Sequence, residues 1–331
     1  MPTKIIPIFF TFNNAYVVPA AVAFYSLLNK VKQDVFYEMF VLHSDITPEN
    51  QSLLQGIVGR FQKGNLTFID TQNFLKDEWE KGNFDENNKH TKFTSDALVR
   101  CFAARFFPQY DKIIYSDVDV VFADDISELW NIDLTGKYLA AVKNPFMKYS
   151  KNELSHLKPE HYEKLKDSYF AGGIWVMNLK QIRTDNLEQR MTEVLNDETI
   201  IKRWNDQDIM NISCDNRVTY LPLNYIAYPY MNGLLQQAHF ESHYTRDELW
   251  DSIINPKIIH YADAKPWKAQ VRYGDVWWDI FRFLNLPTTS IFKEEEQSNP
   301  YKKKYKKYKK LFLILLGITI VLLGVLIWRV Q

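Results

Sequence analysis

Two aspartates that stand two positions apart, Asp117 and Asp119, follow an apolar, β-branched segment that begins at Lys112. A segment of this kind is typical of a buried strand in a parallel sheet. Side chains at positions i and i+2 of an extended chain point to the same side, so both carboxylates are expected where the strand leaves the sheet. Open α/β sheets bind ligands at the carboxyl ends of their strands. Two oxygen ligands at that place suit a divalent cation, and such a cation suits a diphosphate.

Asp-x-Asp also occurs in solvated turns and helix caps, and the spacing alone leaves that alternative open. The apolar residues on both sides of the pair favour a partner of positive charge, because buried carboxylates without one are costly. A second acidic pair follows at Asp124 and Asp125, ahead of a short segment ending at Trp130. That pattern indicates an N-capped short helix, and we interpret these two carboxylates as structural.

Four further positions could do chemistry, and each has a plainer alternative. Arg100 is expected in the middle of a helix among apolar residues. It would either contact a phosphate or sugar, or extend its charged end to solvent. Gly172 and its neighbour Gly173 precede an apolar strand, where they permit close approach of a ligand or form a bulge. Asp206 opens a helix and is either functional or a cap. His260 ends a short strand, where a histidine is more often a core residue, but two carboxylates that need a third ligand favour the ligand interpretation.

The composition narrows the class of protein. The length of 331 residues is enough for one large α/β domain or two smaller ones. The composition, 46% hydrophobic and 24% charged, is that of a globular protein that can form a large core. Residues 301–331 carry eight Lys and Arg and no acidic residue, which leaves 32 basic against 40 acidic side chains, a net charge of −8, in residues 1–300. An acidic body argues against nucleic acid as a partner. The two cysteines form no Cys-x-x-Cys pair and fit a reducing compartment.

Strand and helix patterns alternate along the chain, which predicts a mostly parallel sheet. Strands are expected at residues 4–12, 36–42, 66–69 and 139–142, and helices at 16–29, from Thr47-Pro48 onwards and at 94–107. Residues 71–92 are expected to form a loop. The fold class is therefore α/β, with one domain over residues 1–285.

The end of the chain has a different character. Residues 286–300 are interpreted as a linker, residues 301–310 are rich in Lys and Tyr, and residues 311–328 contain 18 residues without a charge. A bilayer core needs about 20 apolar residues, with a lower limit of about 17, so 311–328 is predicted to be a transmembrane helix. The basic segment is expected to contact anionic lipids and to keep the domain cytoplasmic. A helix lying in the membrane interface is the alternative, although the segment has no polar face.

The ordered set of motifs resembles the family 8 glycosyltransferases, which are retaining enzymes that use nucleotide sugars. It resembles in particular the bacterial galactosyl- and glucosyltransferases of lipopolysaccharide or lipo-oligosaccharide synthesis. The motifs are the Phe10 to Asn14 turn, Arg100, Ser116 to Asp119, Tyr169 to Gly173, Asp206 to Asp208, and His260 to Trp267. The resemblance implies a GT-A nucleotide-diphospho-sugar transferase fold.

The resemblance also implies roles for individual residues. Thr11, Asn13 and Tyr16 would hold the uracil and ribose, and Asp117, Asp119 and His260 would bind Mn²⁺, with Mg²⁺ as the alternative. Ser116 and Val118 belong to the same donor-binding motif, and Lys265 would hold the β-phosphate. Arg100, Gly172, Asp206 and Gln207 would line the donor sugar. The implied reaction is the retaining transfer of galactose or glucose from a UDP-hexose to a saccharide or glycolipid acceptor, with Gln207 and Asp206 as the catalytic residues. Retention needs either a covalent intermediate or same-face attack. We favour same-face attack, in which Gln207 and Asp206 position the reactants, because the amide oxygen of Gln207 is a poor nucleophile.

The sequence departs from the family pattern at three places. Asn13 stands where many members have Asp, and since its oxygen can still accept from the base, uridine stays the expected nucleoside. Ala171 stands where an Asn commonly touches the donor sugar, so the choice of hexose stays open. Asp263 lies in the His260–Lys265 segment, which lacks the usual Gly, and would either crowd the diphosphate or bond a sugar hydroxyl. Two other functions stay open as alternatives: a membrane-tethered, metal-dependent phosphohydrolase, and a non-catalytic nucleotide-sugar-binding protein.

Overall fold

A seven-stranded sheet forms the centre of the fold. The computed structural model describes residues 4–74, 76, 98–146, 154–236 and 243–286. Within these ranges the strands are β1 (Lys4–Thr11), β2 (Val35–His43), β3 (Gly64–Asp70), β4 (Ile113–Ser116), β5 (Val120–Phe122), β6 (Leu139–Lys143), β7 (Phe170–Met177), β8 (Val218–Leu221) and β9 (Ile258–His260). The sheet has the order β3-β2-β1-β4-β7-β6-β8.

Most neighbouring strands of this sheet are parallel. Only β7 runs against its neighbours β4 and β6, whereas β1 is parallel to β2 and β4, β2 to β3, and β6 to β8. The predicted mostly parallel α/β sheet is therefore confirmed. A second sheet consists of β5 and β9, which pair antiparallel with Val120 opposite His260.

The α-helices of the described residues connect these strands. They are α1 (Val17–Lys30), α2 (Pro48–Gly59), α3 (Ala103–Phe106), α4 (Pro159–Leu165), α5 (Leu179–Thr184), α6 (Leu187–Asn196), α7 (Asp206–Cys214), α8 (Asn232–Leu235), α9 (Arg246–Ile254) and α10 (Gly274–Leu284). Helix α2 begins as its sequence predicts. The Thr47 side chain accepts a hydrogen bond from the Asn50 N–H, and Pro48 occupies the first helical position.

The helix predicted for residues 94–107 is confirmed over residues 98–106, although part of it is not regular α-helix. A 3₁₀ turn at Arg100–Phe102 precedes the short α3, and residues 94–97 lie outside the described residues. The turn occurs where Arg100 carries its charged side chain inward, to only 8% exposure, rather than outward to solvent. The acidic segment after Asp124 forms a 3₁₀ helix at Ser127–Asn131, and the Asp125 carboxylate accepts hydrogen bonds from the Ser127 backbone and hydroxyl.

No helix among the residues described is long and apolar enough to cross a membrane. The predicted transmembrane helix 311–328, the basic segment 301–310 and residues 287–300 of the predicted linker lie outside the described ranges. The same holds for residue 75 and residues 77–92 of the predicted loop, whose residues 72–74 are helical.

Candidate active site

Asp117, Asp119 and His260 come together where two strands of different sheets end. Strand β4 ends at Ser116, and the Asp117 N–H donates to the Gly173 carbonyl of the neighbouring β7 at 3.0 Å. Strand β5 begins at Val120, three residues after Asp117, and its pairing with β9 places His260 opposite Val120. The His260 Nε2 then lies 3.3 Å from Asp117 Oδ2 and 3.2 Å from Asp119 Oδ1.

These three residues fit one divalent cation. Each offers one ligand atom, and the three atoms lie within 4.8 Å of one another. Neighbouring ligands around an octahedral ion with bonds of about 2.1 Å stand about 3 Å apart, which is close to the observed separations from Nε2. A set of two carboxylates and one imidazole suits Mn²⁺ better than Mg²⁺, which prefers oxygen alone. The Asp117 side chain is 24% exposed, so the cluster is open to solvent on one side.

Cations bind the carboxylate oxygens that His260 does not face. The Arg100 Nη1 donates to Asp117 Oδ1 at 2.8 Å, and the Tyr115 hydroxyl donates to the same oxygen. Lys265 binds Asp119 Oδ2 through its ammonium group. Each aspartate is therefore fixed through one oxygen and turns the other towards the imidazole, which is how outer partners orient metal ligands.

The pKa values reflect this concentration of charge. Burial raises the pKa of Asp119, but His260 and Lys265 outweigh it and hold the pKa well below its usual range. Burial likewise raises the pKa of Asp117, and Arg100 lowers it below the ordinary value. For His260, burial lowers the pKa, but Asp119 and Asp117 raise it to about 9. Both carboxylates are therefore ionised at neutral pH, in the form that binds a metal ion.

Two consecutive glycines of β7 make room for the site. A Cβ on Gly173 would lie 2.5 Å from His260 Nδ1, so the imidazole reaches the aspartates only because this residue has no side chain. A Cβ on Gly172 would lie 3.1 Å from Gln207 Cγ and 3.2 Å from Arg100 Nη2. The pairing of β6 with β7 also shifts register between Ala141 and Lys143. The irregular pairing, one of the two alternatives that the sequence left open, therefore occurs, and the close approach of a ligand to these glycines stays a prediction.

The Asp206 to Asp208 motif lies at the start of α7, on the other side of Arg100. Asn205 occupies the cap position. Asp206 is only 4% exposed, and its carboxylate binds the Arg100 guanidinium. Asp206 is thus a partner of a buried cation rather than a cap. Burial raises the pKa of Asp206 to about 6, against the pull of Arg100. The Oε1 of Gln207 is buried without a hydrogen-bond partner in the described part of the chain.

The predicted nucleotide-binding residues lie at the end of β1 and just after it. Thr11 is the last residue of β1, and the Asn13 Oδ1 accepts from the Ala15 N–H at the start of a 3₁₀ helix that ends at Tyr16. The Tyr16 ring meets the Trp267 ring edge-on, with centroids 6.3 Å apart. Tyr16 therefore lies beside the segment that carries Lys265.

The two remaining residues of the Ser116 to Asp119 motif point away from solvent. Ser116 is fully buried, and its hydroxyl donates to the Asp117 carbonyl at 2.9 Å. Val118 is 4% exposed. Their observed contacts are with the protein, and a role in donor binding stays a prediction.

Two contributors to the site were missed by sequence reasoning. Tyr115 accepts a hydrogen bond from Arg100 at 2.7 Å and donates to Asp117, and strand periodicity could have found it, since it lies two residues before Asp117. The Tyr228 ring packs on the His260 ring with centroids 5.5 Å apart. No local sequence pattern predicts that contact, because Tyr228 and His260 lie on separate elements.

Comparison with known proteins defines the class. The model of the family described as glycosyl transferase family 8 matches residues 7–270. The chain therefore belongs to this family and is a glycosyltransferase, as the motif set predicts.

Particular relatives agree with this assignment. The lipopolysaccharide 1,2-glucosyltransferase of Escherichia coli is 26% identical over 308 residues, which are 90% of this chain and 84% of that protein. A putative glycosyltransferase of Haemophilus influenzae is 25% identical over 65% of this chain, and the match spans only 61% of that protein.

Solved structures show the fold. The galactosyltransferase LgtC, solved with donor and acceptor sugar analogues, superposes with a TM-score of 0.66 at 20% identity, over 86% of this chain and 98% of LgtC. The bifunctional WbbM superposes with a TM-score of 0.72 at 24% identity, over 88% of this chain and 52% of WbbM. The likeness confirms a GT-A-type α/β fold.

Proposed function

We propose that this chain transfers galactose or glucose from a UDP-sugar, with retention at the anomeric carbon, to a membrane-associated saccharide or glycolipid acceptor. The cluster of Asp117, Asp119 and His260, with a buried arginine on one side and a lysine on the other, is the observation that carries this function. The name of the Escherichia coli relative supports a place in lipopolysaccharide or other surface polysaccharide synthesis.

The three clustered residues would hold Mn²⁺, or Mg²⁺ with lower affinity, and the bound ion would act as a Lewis acid on the diphosphate. Lys265 would stabilise the charge on the departing β-phosphate, since its ammonium already lies at the cluster on Asp119. Tyr16 would stack on the uracil, with Thr11 and Asn13 beside it. The negatively charged diphosphate of a donor bound here would lie next to the positive charges of the metal ion and Lys265.

The donor sugar would lie against Arg100, Gly172, Asp206 and Gln207. The bond between the anomeric carbon and the phosphate oxygen breaks, and its electron pair stays on UDP. An acceptor hydroxyl forms the new bond on the same face, and its proton passes to the departing phosphate oxygen. Among the residues that the structure describes, none hydrogen-bonds the amide oxygen of Gln207, and this oxygen can face the electron-poor anomeric carbon. Asp206 is engaged with Arg100 and positions that cation.

The test is UDP release by the full-length protein from a panel of UDP-sugars, with Mn²⁺, Mg²⁺ or EDTA. We expect slow turnover of one UDP-hexose that depends on Mn²⁺ and is lost in Asp119→Asn and His260→Ala. The matched controls are Asp124→Asn, in the neighbouring acidic pair, and His161→Ala, outside the cluster. Absence of turnover and of binding for every UDP-sugar would overturn the proposal, and a trapped glycosyl adduct on Asp206 or Gln207 would replace same-face attack by double displacement.

The predicted tail provides the membrane association in this proposal. Its uncharged segment 311–328 and its basic segment 301–310 would hold the catalytic domain at the cytoplasmic face of an anionic membrane. The full-length protein is then expected to stay with the membrane fraction after extraction with alkaline carbonate. Its release into the soluble fraction would argue for a helix that lies in the interface instead.

A further inference from the structure

Three aromatic rings form a compact, mutually packed group beside the metal-ligand cluster. Phe146, Tyr228 and Tyr230, which we call the aromatic rim, lie with ring centroids 5.0 to 5.5 Å apart, and the two tyrosine rings stack at an interplanar angle of 24°. Tyr228 joins this group to His260, whose ring lies 5.5 Å from that of Tyr228. The rim thus extends outward from a residue of the cluster.

The outer members of the rim are not core residues. Tyr228 is 5% exposed, but Phe146 and Tyr230 are both half-buried. The stacked pair Trp277 and Phe281 of α10 is a useful contrast, because both of those rings are buried in the fold. Half-exposed rings offer an apolar face to a ligand while polar groups at the edge fix its orientation.

A carboxylate borders the rim. Asp263 is exposed, and its Oδ2 accepts a hydrogen bond of 2.8 Å from the Tyr230 hydroxyl. The Oδ1 of the same group has no hydrogen-bond partner in the described ranges. Asp263 also does not belong to the group of residues that could share a metal ion. The sequence left two roles for this residue, crowding the diphosphate or bonding a sugar hydroxyl, and its contact with Tyr230 favours the second.

We propose that Phe146, Tyr230 and Asp263 form a pyranose-binding subsite for the acceptor, in which Asp263 determines specificity. This inference rests on the proposed transferase function for the identity of its ligand. A pyranose ring has an apolar face of C–H groups that packs on an aromatic ring, and hydroxyls at its edge that donate to a carboxylate. The rim supplies the aromatic ring, and Asp263 Oδ1 supplies the oxygen that accepts the hydrogen bond. A hydrogen bond to an ionised carboxylate is stronger than one to a neutral oxygen.

The position of Asp263 in the chain explains why the subsite would matter for transfer. The residue lies between His260 and Lys265, in the segment that connects a predicted metal ligand to a predicted phosphate ligand. The Tyr230 hydrogen bond ties this segment to the loop that follows β8. An acceptor sugar held there is therefore held by the same segment that faces the donor.

The test measures saccharide binding directly. Saturation-transfer difference NMR on the full-length protein would use methyl β-D-glucopyranoside, methyl β-D-galactopyranoside and lactose as probes. We expect one probe to bind best, Tyr230→Ala to weaken it about tenfold or more, and Asp263→Asn to weaken it about tenfold while narrowing the preference among the three probes. Tyr230→Phe, which keeps the ring, should have an intermediate effect.

Tyr225→Phe is the matched control, because Tyr225 also donates its hydroxyl to a carboxylate, that of Glu128, on the same loop but away from the cluster. It should leave probe binding unchanged. Binding that persists in Tyr230→Ala, an unaltered preference in Asp263→Asn, or no binding of any probe to the wild-type protein would overturn the subsite. UDP release by the wild-type protein is measured separately, so that a failure of the transferase function is distinguished from a failure of the subsite.

Discussion

The chain contains two Asp-x-Asp motifs of identical spacing, and the structure uses them in opposite ways. Asp117 and Asp119 lie in the connection between β4 and β5, and both carboxylates face His260. Asp206 and Asp208 lie in the first turn of α7 and face different surroundings. The Asp206 carboxylate binds Arg100 at the site, whereas Asp208 is fully buried on the other side.

The backbone explains the difference. Residues two apart in an α-helix are separated by about 200° around the axis, so their side chains diverge. Asp208 consequently accepts hydrogen bonds from the Tyr169 hydroxyl at 2.8 Å and the Trp204 N–H at 2.8 Å, and its Oδ2 lies 2.9 Å from His156 Nε2. One motif is a candidate metal site, and the second places one carboxylate in the site and one in a structural network. Spacing thus predicts chemistry only when the backbone conformation is known.

Arg100 connects the two motifs, and its removal should have the largest effect. It binds both Asp117 and Asp206, and it also lies over the Tyr115 and Trp175 rings. Arg100→Leu would leave Asp206 buried without a cation, at a cost of about 3–5 kcal/mol in the free energy of unfolding. Urea denaturation measures this loss.

The control for Arg100 is Arg282→Leu, which breaks the exposed pair with Asp279 and should change stability little, since exposed pairs contribute little. Equal stability losses in the two variants would show that Arg100 does not hold the motifs together.

Asp119→Asn should act mainly on metal binding in the first motif. We expect Mn²⁺ affinity to fall by at least about 100-fold, because a ligand is lost and not merely a residue that orients one. The midpoint of urea denaturation in the absence of metal should fall less than in Arg100→Leu. The substitution weakens the pairing with His260 and Lys265, but asparagine keeps the shape of Asp119 and still offers an oxygen to Lys265. Calorimetric titration with Mn²⁺ measures the affinity. An unaltered affinity would show that Asp119 is not a metal ligand.

Asp208→Asn should show the reverse pattern in the second motif. The substitution replaces one carboxylate oxygen, which accepts hydrogen bonds, by an NH₂ group, which donates them. Because Tyr169 and the Trp204 N–H also donate, one hydrogen bond is lost, at a cost of about 1–3 kcal/mol in the free energy of unfolding. Mn²⁺ affinity of the folded protein should stay near that of the wild type. Asp251→Asn, on the exposed face of α9, is the control for stability. A large loss of metal affinity with unaltered stability would assign Asp208 to the site.

Gly173→Ala should have a smaller effect on metal affinity than Asp119→Asn and should act on the first motif through His260, although the new Cβ would also lie 2.9 Å from Ile226 Cδ1. The new Cβ would displace the His260 ring, and the loss of ligand orientation is expected to lower Mn²⁺ affinity by about 10- to 100-fold. Gly56→Ala in α2 is the control, because a Cβ at that position meets no atom within 4 Å. Unchanged affinity in Gly173→Ala would mean that His260 tolerates the shift, and hence that its position is not critical.

Much of this architecture was predictable from local patterns. The apolar run before Asp117 predicted strand β4, and Thr47-Pro48 predicted the start of α2, because strand periodicity and helix capping act over a few residues. The family motifs predicted the GT-A-type fold. Local patterns also indicated His260 as a candidate, since a short apolar strand ends on it.

What the sequence did not reveal depends on contacts between distant segments. The pairing of Val120 with His260 joins residues 140 positions apart and places the imidazole on the aspartates, which no local pattern encodes. The 3₁₀ turn at Arg100 and the different surroundings of Asp206 and Asp208 likewise follow from tertiary partners. The role of Asp263 became a single hypothesis only when the structure placed it on Tyr230.

The most direct test of the central claim, that Asp117, Asp119 and His260 form a metal site for a nucleotide-sugar donor, is an electron paramagnetic resonance titration. Mn²⁺ would be added to the full-length wild-type protein and to His260→Ala, each with and without UDP. We predict that the wild type removes the signal of free Mn²⁺ at one equivalent, more tightly with UDP, and that His260→Ala does not. Equal binding by the two proteins, or none by the wild type, would contradict the account.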